Sequence, residues 1–579
     1  MYQYSDFDRQ FVQLRAHQFR DQLERWQAGT LREDEFKPLR LQNGWYVQRF
    51  APMLRVAVPY GELSSPQLRV LAKIARDFDH KEEHDTSKAN AALAEVPTLP
   101  DRCGHFTTRQ NVQYNWIPLA RSADVMDLLA SVNMHGIQTS GNCIRNITAD
   151  HLAGVAKDEL IDPRPYCELT RQWATEHPEF NWLPRKFKFA FSSSTTDRAA
   201  TQVHDIGVHI IKNAEGEIGY EMVVGGGLGR TPVIGQVIRE WLPEEDLLSY
   251  SEAILRVYNL LGRRDNIYKA RIKITVKETG LAKFKELVEA EWATIKDGPL
   301  KLKREDIARF QSFFTSFDYD TAAATDTSHA EHLAKDSAFA AWTKRNLKAH
   351  RQPGYAIAFL SLKARGIAPG DITDAQMDAV ADLADQYSFG ELRATHNQNL
   401  VFTDVKQADL YPLWQALVKL DLATPNIGLL TDVICCPGLD FCSLSNASSI
   451  AVAEEIFERF ESFDYQHDIG EIKLNMSGCM NGCGHHSVGH IGILGVDKKG
   501  EEWYQITLGG SSENKASLGD RTGPSVGREH IAGAVQTIIE TYLAERQNED
   551  ESFLACYQRV GMPPFKARLY PVAATGETT

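Results

Sequence analysis

The stretch GEIKLNMSGCMNGCGHH (470–486) carries two messages. Its first ten residues, GEIKLNMSGC, line up with RKFKFAFSSS at 185–194. Its middle, SGCMNGC, sets Cys479 and Cys483 three residues apart among glycines. Working outward, the echo continues. HDIGVHII (204–211) matches GHIGILGV (489–496), and EMVVGGGLGR (221–230) loosely matches YQITLGGSSE (504–513). Upstream, MLRVAVPYGELSSPQLRVLAKIARDF (53–78) reads strand, turn, helix, and GHFTTRQNVQYNWI (104–117) reads as an alternating strand. The same order returns in AIAFLSLKARGIAPGDITDAQMDAVADLADQY (356–387) and ELRATHNQNLVFTDV (391–405). Gln110 and Asn111 answer to Gln398 and Asn399, while Asn397 stands where copy one has Arg109. A chain written twice predicts a pseudo-twofold protein with a site where the copies meet. Copy two has Cys479 where copy one has Ser194, so one site built from unlike halves is expected.

The flanks are plainer. Phe7, Phe11, Leu14, Phe19, Leu23 and Trp26 recur at helical spacing and predict a helix packing on its own protein. Residues 80–101 are polar and read as a surface loop, residues 315–350 as a polar bridge between copies, and the tail after Pro563 as irregular. The 579 residues carry a net charge of −14, which argues against nucleic acid or an anionic membrane surface as partner. No apolar run is long enough for a membrane span, and no secretory signal opens the chain. Nine cysteines, five of them between 435 and 483, fit a reducing, cytoplasmic setting with thiols gathered for metal and not a disulfide scaffold.

Those thiols are specific in their spacing. TDVICCPGLDFCSLSN (431–446) puts five residues between Cys436 and Cys442, and Cys479 and Cys483 follow as C-x3-C. Four thiolates in two pairs can ligate a [4Fe–4S] cluster. Structural zinc favours two to four residues between ligands, which the first pair exceeds, although His486 and His490 could serve zinc with the second. Cys435 reads as packing.

C-x5-C followed by S-G-C-x3-C-G resembles the signature of the sirohaem-dependent sulfite and nitrite reductases, and the duplicated order resembles theirs along nearly the whole chain. The resemblance implies a mixed α/β (α+β) fold. It has ferredoxin-like half-domains and two sirohaem- and cluster-binding lobes. The expected divisions are a helical extension over 1–43, a first half-domain over 44–120, a first lobe with linker over 121–345, a second half-domain over 346–422, and a second lobe over 423–579. It implies that Cys436, Cys442, Cys479 and Cys483 hold the cluster, with the Cys483 thiolate also bridging to the sirohaem iron as axial ligand. It also implies a substrate face made from the arginine of TTRQ, the arginine before Asn in a G-x-x-x-R-N turn, and two lysines of a K-x-K strand. Here these are Arg109, Arg145, Lys186 and Lys188. Where the family often has an acidic residue seven positions after the last cysteine, this chain has His490, expected to be a surface or outer-layer difference.

The residues support that reading independently. On a strand, Lys186 and Lys188 share one face and Phe187, Phe189 and Phe191 the other. Two cations about 4 Å apart repel by ~4 kcal/mol at an effective dielectric near 20, which a bound anion relieves. Sirohaem carries carboxylates, and GGGLGR (225–230) reads as a turn whose N–H groups and Arg230 hold them, since its glycine spacing does not fit a dinucleotide fingerprint. Gln110, Asn111, Asn397, Gln398 and Asn399 complete the expected cofactor-contacting set. The expected activity is six-electron reduction of sulfite to sulfide, with nitrite to ammonia as the alternative of the same fold. Lys188 favours sulfite, because family members specialised for nitrite typically have Asn there. A non-catalytic zinc- or cluster-stabilised binding protein is the remote alternative. No flavin or NADPH domain is evident, so a separate flavoprotein reductase or ferredoxin is expected to bring electrons.

Overall fold

The computed structural model describes residues 1–48, 51–84, 102–314 and 316–571. Most of the loop expected over 80–101 therefore lies outside the described residues.

Among the described residues four sheets form the framework, and each copy supplies two kinds. In copy one, Trp45–Val47, Pro52–Val56, Val112–Tyr114 and Cys103–Phe106 pair antiparallel. In copy two, Leu347–Ala349, Tyr355–Leu360, Leu400–Lys406 and Glu391–Ala394 do the same. Each copy then lends an edge strand to the other. Asp371–Thr373 joins the first sheet beside Cys103–Phe106, and Glu62–Ser64 joins the second beside Glu391–Ala394. The lent strand runs directly into a helix, Ser65–Phe78 or Asp374–Tyr387, and the same device starts both. Ser64 accepts from the N–H of Gln67 and Thr373 from that of Gln376, each glutamine reaching back to the cap residue. The two helices lie against each other, and one apolar core runs through both half-domains, from Leu54, Leu71 and Phe106 to Leu392, Phe402 and Val380. The strand exchange fuses the halves: neither sheet is complete without the other copy.

The segments 104–117 and 391–405 are hairpins and not single strands. Gln110 and Gln398 have φ of 58° and 59°, which a strand does not tolerate. In each case the T-x-x-Q-N stretch is the turn. That correction puts Arg109 at a hairpin tip, where it can reach beyond the sheet.

The lobes repeat a second topology. Thr148–Ala149, Phe189–Ser192 and Ile206–Lys212 are parallel, and Ile218–Val224 returns antiparallel. In copy two, Ile434–Cys435, Leu474–Ser477 and Ile491–Lys498 are parallel, with Glu501–Leu508 antiparallel. Phe187, Phe189 and Phe191 are fully buried in the first lobe's core, and truncating such a ring to Ala costs ~3–5 kcal/mol.

The first helix spans Asp6–Gln27 and packs against Ser122–Ser131. Its buried face is Val12, Ala16, Phe19 and Leu23, with Phe11 and Trp26 partly buried against the same core, while Phe7 and Leu14 of the expected stripe are exposed. The bridge over 315–350 is largely helical, with Ser328–Lys335 and Ser337–Asn346. As far as residue 571 the tail is not irregular, and the rest of it lies outside the described residues. Pro563–Leu569 is a helix started by its two prolines and anchored by buried Phe565.

Candidate functional site

One cavity of about 760 Å³ opens where copy one's cationic side meets copy two's cysteines. Cys436, Cys442, Cys479 and Cys483 all line it, as do Arg109, Arg145, Lys186 and Lys188.

The cysteine loops are shaped by close packing. Cys436 follows the two-residue strand Ile434–Cys435, and its sulfur accepts from the N–H of Gly478 at 3.1 Å. Gly438 has φ of 62°, and a Cβ there would lie 2.7 Å from the backbone of Ser449. A Cβ at Gly484 would meet the Met476 carbonyl at 1.8 Å, so only glycine lets the chain after Cys483 lie against the strand. Across the copies, the Thr108 hydroxyl donates to the Cys483 carbonyl at 2.9 Å, tying the cationic hairpin tip to the cysteine loop. All nine cysteines are free of disulfides. Burial pushes the Cys436 thiol up to about 12 and the Cys479 thiol up to about 11. Buried thiols this reluctant to ionise need positive charge to become ligands, which an iron–sulfur core supplies. Among the described residues no three His, Cys, Asp or Glu side chains converge on a single-ion site. Thiols spread around a shared void suit a body of several atoms.

The cations are held by backbone oxygens. Arg109 donates one Nη to the Asn146 carbonyl at 2.6 Å, while its other Nη is buried without a partner. Arg145 is clamped by the carbonyls of Thr139 at 2.8 Å and Gly141 at 2.8 Å. Lys186 and Lys188 flank buried Phe187, whose backbone bonds to Cys143 and Arg145 continue the ladder of the neighbouring strand. Burial and Arg145 bring the Lys186 ammonium down to about 7. Burial, Lys186 and Arg109 carry Lys188 well below its ordinary value. Burial and Arg145 lower Arg109 to about 9. A void with an orphaned guanidinium N–H and destabilised cations is electrostatically incomplete, and anions complete it. The donor set therefore fits a carboxylate-bearing macrocycle and an oxyanion beside it.

Not every expected residue faces the cavity. Asn111 and Gln398 do. Gln110, Asn397, Asn399 and Arg230 do not, and the first three do structural work. Gln110 bridges the copies by donating to the Ala394 carbonyl at 3.0 Å and accepting from the N–H of Ala149 at 3.2 Å. Gln398 mirrors it, with Phe106 at 3.1 Å and Cys435 at 2.8 Å. The Asn397 carbonyl accepts from Lys363 at 2.6 Å, and Asn399 donates to Asp432 at 2.9 Å. Arg230 leans over the cysteine loop, donating to the Met480 sulfur at 3.1 Å, with Tyr268 beneath it at 4.9 Å. Its neighbour Leu228 is the residue of GGGLGR that lines the cavity. His490 is buried, not a surface residue; its Nδ1 accepts from the N–H of Lys473 at 3.2 Å and its ring lies beside Phe553.

Sequence reasoning missed Arg271, Arg55, Tyr46 and His204, all of which line the cavity. Arg271 is oriented by fully buried Asp205 through contacts of 2.8 and 2.9 Å. Its only sequence signal is the basic run YKARIK at 268–273, indistinguishable from a solvated turn.

Comparison with known proteins bears on this arrangement. A family model described as "Nitrite and sulphite reductase 4Fe-4S domain" matches residues 140–296 and 429–572, one segment in each copy. A second, "Nitrite/Sulfite reductase ferredoxin-like half domain", matches 354–420. The chain is 29% identical to a protein named "Sulfite reductase [ferredoxin] 2" from Mycolicibacterium paratuberculosis, over 81% of this chain and 75% of that one. It is 26% identical to the "Assimilatory ferredoxin-dependent nitrite reductase" of Haloferax mediterranei, over 85% and 80%. Its fold is similar to the solved structure of the Mycobacterium tuberculosis NirA protein, with a TM-score of 0.74 and 23% identity over 94% of each chain. Among the described residues no helix is long and apolar enough to cross a membrane. With its duplicated lobes matched by a model covering more than half its length, the chain belongs to the nitrite and sulphite reductases, a family of oxidoreductases with a 4Fe–4S domain.

Proposed function

We propose that this protein reduces sulfite to sulfide by six electrons, using sirohaem and a [4Fe–4S] cluster bound in the 760 Å³ cavity. The observation that carries the reading is that one void is lined by four cysteines from copy two and by Arg109, Arg145, Lys186 and Lys188 from copy one. Cys436, Cys442, Cys479 and Cys483 would hold the cluster, and Cys483 would also hold sirohaem. When bound, these groups supply one-electron transfer and a metal that activates the substrate. The protein's own work is electrostatic. Arg145, clamped by three backbone hydrogen bonds, and Arg109, fixed through the Asn146 carbonyl, line the cavity as positive donors toward carboxylates and substrate oxygens. Lys186, with a pKa lowered to about 7, can give up a proton near neutrality as oxygen leaves.

Lys188 favours sulfite, which at neutral pH is partly a dianion with three oxygens, over nitrite, a monoanion with two. Nitrite reduction is the second reading, supported by relatives named as nitrite reductases, including the Haloferax mediterranei protein. The electron donor is a separate protein; ferredoxin is supported by the names of relatives from both groups, ahead of a flavoprotein. Nine free cysteines accord with a reducing, cytoplasmic location. Steady-state kinetics on both substrates with a chemical reductant test the reading without the donor. A larger kcat/KM for sulfite is expected; a larger one for nitrite would make this a nitrite reductase.

A further inference from the structure

The substrate side of the cavity is a wall of donors. Arg109, Arg145 and Arg271 offer N–H groups and no acceptor, and Lys186 and Lys188 do the same while protonated. That suits an oxyanion on arrival. It does not suit what reduction makes, because each oxygen leaves through a hydroxyl or water, and an O–H needs a lone pair to bind.

His204 supplies one. It lies just before the strand Ile206–Lys212, is 2% exposed, and lines the cavity. Its Nδ1 is 2.7 Å from the Ala200 carbonyl oxygen. A carbonyl only accepts, so Nδ1 carries the hydrogen and Nε2 of the neutral ring keeps its lone pair. Nε2 has no hydrogen-bond partner among the described residues and is not sealed in the core. The ring's anchor is itself built in. Ala200 has φ of 53°, and the buried Asp197 carboxylate on its N-terminal side accepts from the N–H groups of Ala199 and Thr201, both at 2.9 Å. The N–H of Ile206 donates to the Lys188 carbonyl at 3.1 Å, which sets His204 beside the extended segment that carries both lysines and leads into the strand Phe189–Ser192. Burial, with Arg109 and Lys188 nearby, keeps the imidazole neutral. The other histidines lining the cavity fit this role less well. His105 is paired with Asp371 at 2.6 Å, and His485 belongs to the cysteine loop two residues after Cys483.

We propose that His204 Nε2 is the acceptor that binds the hydroxyl of partly reduced substrate, opposite the donors that bind its bare oxygens. This rests on the reading of the cavity as an oxyanion-reduction site. It assigns His204 a part in the later steps and none in the capture of the starting anion.

The test uses holoenzyme with reduced methyl viologen and two small substrates, with rates normalised to bound sirohaem. Nitrite carries no hydrogen; hydroxylamine carries an O–H. His204→Leu and His204→Phe both remove the acceptor, the second keeping an aromatic ring should the first fold poorly. For either variant, kcat/KM for hydroxylamine should fall by roughly 10-fold or more, the scale of a lost buried hydrogen bond. For nitrite, kcat should fall with KM unchanged. His204→Gln, whose side-chain carbonyl accepts, should recover much of both. Unchanged hydroxylamine kinetics in the acceptor-less variants would overturn the proposal, as would equal losses on both substrates that Gln does not recover. Wild-type enzyme inactive on sulfite, nitrite and hydroxylamine alike would remove the parent reading and this inference with it.

Discussion

The two lobes place different chemistry on one backbone. In copy two, Cys436 follows the strand Ile434–Cys435, its N–H donating to the Met476 carbonyl. In copy one, Asp150 follows Thr148–Ala149, its N–H donating to the Phe191 carbonyl. Cys479 comes two residues after Leu474–Ser477, and Ser194 two residues after Phe189–Ser192. Four residues further on stand Cys483 and Arg198. Where copy two gathers thiols, copy one closes the same place with protein: Arg198 binds Asp150 at 2.8 Å and Asp158 at 2.9 Å, and donates to Ser194 at 2.7 Å. A guanidinium and two carboxylates satisfy one another; four thiols do not. The difference teaches that a duplicated loop can keep its backbone if some multivalent centre ties its ends, and that the centre can be an ion network or an inorganic cluster. The cationic wall diverges in the opposite sense. Lys188 faces the open cavity, whereas its register counterpart Lys473 is neutralised by Glu513.

The comparison breaks most severely at the thiols. Cys479→Ser should abolish the cluster and lower the yield of folded protein sharply, because ligand binding and folding are coupled. Iron and acid-labile sulfide analysis checks this, and a variant retaining the wild-type iron content would refute Cys479 as a ligand.

Arg198→Leu is the corresponding lesion in copy one. Burial works to raise the pKa of Asp150, and Arg198 outweighs it, so the carboxyl stays below its ordinary range. Removing the arginine strands that charge at a cost of about 3–5 kcal/mol. Thermal unfolding should begin several degrees lower while iron content stays unchanged. A loss of iron as large as that of Cys479→Ser would show that the two loops are not independent. The contribution of the pair is present at neutral pH and is lost as the pH falls through the depressed pKa of Asp150.

Much of this contrast was legible in the sequence, because strand periodicity survives duplication. The Lys–Phe alternation at 186–191 and the cysteine spacing both name side chains whose direction follows from local structure. What escaped depends on distant contacts. Gln110 looked like a cofactor ligand beside Arg109, yet its left-handed backbone turns it into the bridge between half-domains. Arg271 enters the cavity only because Asp205, 66 residues away, draws it in. No pattern within a single segment encodes such meetings.

The smallest expected effect sharpens the asymmetry of the lysines. Lys188→Asn should lower kcat/KM for sulfite by roughly 10-fold or more, above about 1.4 kcal/mol of transition-state stabilisation. Nitrite reduction should change little or improve. Lys473→Asn should leave both substrates unaffected. Equal losses on both substrates in Lys188→Asn would make that lysine a support for the cofactor and remove the basis for preferring sulfite.

The most direct test of the central claim, that thiols of one copy and cations of the other form a single redox site, is a metal analysis joined to a visible spectrum. Protein made in a sirohaem-competent host should contain about five iron atoms and about four acid-labile sulfides per chain, and its haem bands should shift on addition of sulfite. Protein that carries zinc and no visible absorption, or iron whose spectrum ignores sulfite and nitrite alike, would contradict it.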